Sequence, residues 1–128
     1  MRTNRLMATS LAISLLCRLF PPAPAHAEEP ATIALTLKDH RFAPAEIHVP
    51  AGKAVILRVT NEDDTVEELD SVALQVEKLI VAGHYATVRL HPLGPGRYPF
   101  MGEYHAETAK GVVISEPDSG SPGRADQK

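Results

Sequence analysis

The chain has 128 residues, and its 13 basic side chains are outnumbered by 16 acidic ones, a formal net charge of −3 with histidine neutral. That balance argues against nucleic acid and anionic membrane as partners, since both need clustered Lys and Arg, and the length suits one hydrophobic core. A single cysteine, Cys17, leaves no intrachain disulfide available.

Arg2 and Arg5 precede a mostly apolar run from Leu6 to Phe20, which ends in Pro21-Pro22-Ala23-Pro24 and then Ala25-His26-Ala27. A basic start, an apolar middle and a small-x-small exit predict a signal peptide over residues 1–27, and with it a periplasmic or secreted protein. The run is shorter than the roughly 20 residues a bilayer span needs, and no second apolar run follows. No membrane insertion is therefore expected after cleavage. Tethering through Cys17 as a lipoprotein is the competing reading, but Leu16 stands where a small residue is usual. Cleavage after Ala27 removes Arg2, Arg5, Arg18 and Cys17 and no acid, leaving ten basic side chains against sixteen acidic ones. The mature chain suits cations as partners and offers no thiolate.

Beyond the leader, short alternating runs recur between turn signals: Ile33 to Leu37, Glu46 to Val49, Ala54 to Thr60, Val72 to Val81, Tyr85 to Leu90, Arg97 to Met101 and Gly111 to Ser115. This spacing predicts an all-β sandwich of about seven to eight strands over residues 28–115. A period of two sends Val55, Leu57 and Val59 to the core, with Val88 and Leu90 as a similar pair. Pro50-Ala51-Gly52, Ala82-Gly83 and Pro92-Leu93-Gly94-Pro95-Gly96 mark turns. The best helical candidate is a short stretch from His105 to Lys110. Residues 116–128 are rich in Asp, Ser, Gly and Pro with no apolar period, and read as a disordered tail.

Two segments interrupt the strand rhythm. Asn61 to Asp70 holds six of the sixteen acids, and Tyr98 to Glu107 offers a thioether, two carboxylates and an imidazole. Function often resides on such loops, although clustered charge is commonly just a solvated surface. His40, His48, His84 and His91 are scattered without a ligand-spaced partner and read as surface residues; a second, weak site at His40 beside Asp39 is not adopted.

Phe42-Ala43-Pro44-Ala45-Glu46-Ile47-His48-Val49-Pro50-Ala51-Gly52, Val59-Thr60-Asn61, Pro95-Gly96-Arg97-Tyr98-Pro99-Phe100, and His105 followed by Gly111-Val112-Val113-Ile114 together resemble the cupredoxin strand order. More narrowly, Glu67-Glu68-Leu69-Asp70-Ser71, Glu77-Lys78 and Gly102 to Gly111 are similar to the cupredoxin-like domain family of bacterial iron uptake, the EfeO type. The resemblance covers roughly residues 31–115. It implies a Greek-key β-sandwich that binds iron or copper and serves an inner-membrane iron permease. Blue-copper members use two His, a Cys and an axial Met, because thiolate with two imidazoles builds the trigonal redox centre. Laid on this chain, the Cys position falls on Gly102, the second His on His105, the first His on Glu67 or Glu68, and the Met near Lys110. A type 1 copper centre is excluded by the missing thiolate.

What the two loops offer instead is a harder donor set: Glu68 and Asp70 from one, Glu103, His105 and Met101 from the other. Carboxylates with an imidazole suit Fe, Mn, Zn or Cu(II), whereas Met101 favours softer ions. These five are the expected metal ligands, the ion iron or copper, and the protein a monomer or weak dimer. No nucleophile elbow, phosphate loop or catalytic triad appears, so no catalytic residue is assigned, and ferroxidase-like chemistry would require an electron acceptor. The alternative is a metal-free cupredoxin-like module that binds a transporter or another exported protein.

Overall fold

The structure, a computed structural model, describes residues 23–25 and 27–119. Among these residues nine strands follow one another: β1 (Ala31–Lys38), β2 (Arg41–Ala43), β3 (Glu46–Pro50), β4 (Val55–Asn61), β5 (Glu67–Ser71), β6 (Val76–Ile80), β7 (Tyr85–Leu90), β8 (Gly96–Gly102) and β9 (Lys110–Glu116), with one 3-10 turn at Glu103–His105. They form two sheets, ordered β2-β1-β4-β7 and β3-β9-β8-β5-β6. The chain crosses between the sheets repeatedly, and this makes β1 parallel to β4 and β3 parallel to β9 among otherwise antiparallel pairs. An all-β sandwich, as expected, is what the sequence folds into.

Strand β4 shows why. Its inward residues Val55, Leu57 and Val59 alternate with Ile56, Arg58 and Thr60, so one face is apolar and buried. Leu35 and Leu37 of β1 and Val88 and Leu90 of β7 extend that face, and Ile47, Val49, Leu69, Ile80, Phe100 and Val113 meet it from the other sheet. Phe42 and Phe100 close one part of the interface edge to face, their centroids 5.2 Å apart.

The register departs from the sequence reading in the acidic stretch. Glu67–Ser71 is a strand, paired to β6 and β8, where a loop was expected; Val72 to Gln75 is the turn, where a strand was expected to begin. Ser71 stitches this turn, donating to the Pro99 carbonyl at 2.7 Å and accepting the Leu74 N–H at 3.0 Å. The helical turn also lies earlier than expected, at Glu103–His105. The leader, apart from Ala23–Ala25 and Ala27, lies outside the described residues, as do positions 120–128 of the tail. Among the described residues no helix is long and apolar enough to cross a membrane.

Asn61, buried at the end of β4, shapes the link into β5. Its amide donates to the carbonyls of Thr65 (2.8 Å) and Ile80 (3.0 Å), and its oxygen accepts the Asp63 N–H at 3.0 Å. A buried amide with its partners satisfied fixes the chain around it. The Asp63 carboxylate is thereby carried toward the β1–β2 turn.

Gly111 lets the Phe100 ring lie against the backbone of β9: a Cβ there would stand 2.1 Å from Phe100 Cζ. Gly111→Ala is therefore expected to overpack the core and lower the unfolding free energy by about 1–3 kcal/mol, measured by urea denaturation. At the other end of β9, His48 lies between Glu116 and Glu46, at 3.3 and 3.1 Å. The Glu116 hydrogen bond, with help from Glu46, raises its pKa above the ordinary 6.5. A raised histidine favours the fold fully below 6.5, and that contribution is lost as the pH rises through the folded value. An NMR titration should find His48 above 6.5 and returning toward it in Glu116→Gln.

Candidate metal centre

Within β5 the pleat turns Glu67, Leu69 and Ser71 inward and Glu68 and Asp70 outward. Glu67 is thus a carboxylate with 1% of its side chain exposed, a costly placement unless every oxygen is engaged. Its Oε1 accepts the N–H groups of Glu68 (3.0 Å) and Tyr104 (2.8 Å). Its Oε2 meets His105 Nδ1 at 2.6 Å, in the short range of charge-assisted bonds. Both the 3-10 turn and the imidazole it carries are tied to one buried acid.

His40 comes from the opposite sheet. It sits in the β1–β2 turn, and its ring stacks on His105 with centroids 3.6 Å apart and planes 11° from parallel. One donor atom each from His40, Glu67 and His105 lies within 4.8 Å of the other two. The His40 ring is otherwise unengaged. Its Nδ1 is buried and makes no hydrogen bond, although Asp63 Oδ2 is 3.3 Å away.

Of the residues the sequence singled out, His105 stands in this centre. Glu68, Asp70 and Glu103 do not join it in the three-residue group. Glu68 and Asp70 do share one face, as extended backbone dictates, and it is the outer face. Met101 pairs with Asp70 across the β5–β8 ladder and is 41% exposed. On that face Glu77 feels Glu68 through a hydrogen bond and its charge, and more weakly Asp70 and Glu103, and its pKa is raised above 4.5. Protonation relieves this crowding, so the raised carboxyl favours the fold below 4.5 and loses that effect as the pH climbs through its folded value. The Tyr104 hydroxyl is likewise raised, first by its hydrogen bond to Glu68.

Glu67 was within reach of the sequence, because Leu69 marks the inward face of an extended segment and Glu67 is two residues before it. It is also one of the two positions, with Glu68, where the resemblance places a first His. His40 carried no such signal, since its neighbours in space come from distant parts of the chain.

A model of the cupredoxin-like domain matches residues 9–115 of the sequence. The chain belongs to the cupredoxin-like domain family. A protein of Rickettsia prowazekii (strain Madrid E), RP394, is 38% identical over 82 residues, which cover 64% of this chain and 66% of that protein. Among solved structures, auracyanin A, a blue copper protein of Chloroflexus aurantiacus, superposes with a TM-score of 0.58 at 15% identity, over 69% of this chain and all of that one. The metal-binding domain of the Cu(I)-exporting P-type ATPase CopA of Streptococcus pneumoniae D39, solved with Cu(I), gives 0.57 at 16% identity, over 66% of this chain and 84% of that one. At such identities the structures establish the shared fold and nothing about the site.

The residues of this cupredoxin-like domain do not fit a type 1 copper ion. At Gly102, where the thiolate would be carried, an added Cβ would lie 2.7 Å from Glu67 Cδ and 2.8 Å from the Ala109 Cβ. Glu67 fills the space a cysteine needs. Two imidazoles and a carboxylate whose donor atoms lie within 4.8 Å of one another do fit a harder ion of the Cu(II) or iron kind.

Because Glu67 satisfies two backbone donors and an imidazole, Glu67→Ala should destabilise the fold by on the order of 3 kcal/mol. The outward-facing Glu68→Ala should stay within about 0.5 kcal/mol of the parent. Urea denaturation of both variants checks the contrast.

Proposed function

We propose that this protein is an exported metal-binding member of the cupredoxin-like family, holding an iron or copper ion through His40, Glu67 and His105 and presenting it to an inner-membrane permease during iron uptake. The observation that carries the reading is the meeting of those three side chains, one from each of three distant segments, with one donor atom of each within 4.8 Å of the other two. The ion would supply positive charge to a buried carboxylate. The chain's own residues supply the rest: Glu67 fixes His105, the two rings lie at the surface with 40% and 30% of their side chains exposed, and a partner can reach them. Export is supported by the leader-like residues 1–27, and the iron association by the EfeO-type resemblance. The acidic outer face of Glu68, Asp70, Glu77 and Glu103 favours approach of cations.

A second reading, a metal-free module that engages the permease or another exported protein, is favoured by a groove of about 500 Å³ whose lining includes Asp70, Val72, Pro99, Met101, Ala106 and Lys110. Titration calorimetry separates the two. The purified protein should bind Cu(II) or Fe(II) at one site per chain, and His105→Ala and Glu67→Gln should each weaken binding at least tenfold, while Glu103→Gln should not. Binding should also weaken as the pH falls, because protons compete for imidazole and carboxylate. Unaltered binding in His105→Ala and Glu67→Gln sinks the proposal, and absence of any one-to-one binding leaves the module.

A further inference from the structure

The β1–β2 hairpin turns through two residues only. Lys38 pairs with Arg41, and Asp39 and His40 between them have φ of 51° and 54°. Positive φ at both central positions is the type I′ geometry, which matches strand twist but favours Asn-Gly over side chains bearing a Cβ. Something outside the turn must hold Asp-His in it, and Asp63 does. Its Oδ1 accepts the Asp39 N–H at 2.6 Å and its Oδ2 the His40 N–H at 3.0 Å, from a side chain only 10% exposed. Asp63 is in turn fastened by Asn61, which accepts the Asp63 N–H and is itself anchored to Thr65 and Ile80.

The same carboxylate faces the His40 ring. Oδ2 stands 3.3 Å from Nδ1, and that nitrogen is buried. With Nδ1 turned to an acid inside the protein, Nε2 is the nitrogen left for a ligand. Metal-binding histidines are commonly oriented in this manner, one ring nitrogen toward a carboxylate and the other toward the ion. We infer that Asp63 is a positioning residue of the metal centre: it holds the Asp39-His40 turn in its left-handed conformation and sets the His40 ring with Nδ1 inward, so that Nε2 is the nitrogen offered to metal. This rests on the proposed metal-binding function but assigns a residue and a nitrogen which that reading leaves open.

Two contributions can be separated by experiment. Asp63→Ala removes both the turn clamp and the contact with the ring; adding Asp39→Gly to it restores a residue suited to positive φ and so relieves the turn without replacing the ring contact. Nitrogen-15 NMR of the imidazoles in the metal-free protein, recorded above the histidine titration range, reads the His40 tautomer. Calorimetry with Cu(II) reads affinity. The parent should carry its neutral proton on His40 Nδ1, and Asp63→Ala and Asp63→Ala/Asp39→Gly should both shift it toward Nε2. Thermal melting should show the double variant recovering stability over Asp63→Ala, while its Cu(II) affinity stays about tenfold to a hundredfold below the parent. Parent-like affinity and an unchanged tautomer in the double variant would overturn the inference, leaving Asp63 as a turn clamp alone. If the parent binds no Cu(II) or Fe(II), the proposed function fails on its own account, and the tautomer comparison still decides whether Asp63 orients His40.

Discussion

A single buried carboxylate organises the functional end of this sandwich. Glu67 is enclosed by the protein, and burial of a charge is tolerable only when its oxygens are occupied. Here they bind the next residue of the strand, the backbone of the 3-10 turn and an imidazole of that turn. The acid therefore joins β5 to the loop between β8 and β9, and the loop cannot move away without stranding it. His105 owes its orientation to this constraint, and His40 its stacking surface to His105.

Much of the sandwich was legible in the chain because its strands alternate strictly. Val55, Leu57 and Val59 announce an inward face without help from any other segment, and they are buried as expected. Strand β5 was obscured because two of its three inward residues, Glu67 and Ser71, are polar; only Leu69 carries the apolar signal. Both polar residues are inside because each finds specific partners, which periodicity does not register. The turn after β5 misled in the opposite sense: Val72 and Leu74 look strand-like, yet Val72 is 89% exposed while Leu74 drops into the core through a tight bend held by Ser71.

The candidate centre was half legible. A loop donor at His105 followed from the family pattern, whereas Glu68 and Asp70 were chosen for sharing a face, and extended backbone turns that face to solvent. The parity of a strand decides which of two adjacent acids enters the protein. His40 belonged to a two-residue turn with no ligand spacing around it, and its meeting with His105 arises from the stacking of the two sheets. Contacts of that type are properties of the folded layers and have no local sequence signature.

The crowding at Gly102 bears on how such domains exchange one chemistry for another. A cysteine introduced at position 102 would collide with the Glu67 carboxylate, and a smaller residue introduced first at position 67 would strand His105 and two amide groups. Each change alone carries a cost that the other relieves only in part, so conversion to a thiolate centre favours a paired replacement. Packing at Gly102 thereby disfavours a thiolate beside Glu67, a ratchet made from one missing methyl-sized volume.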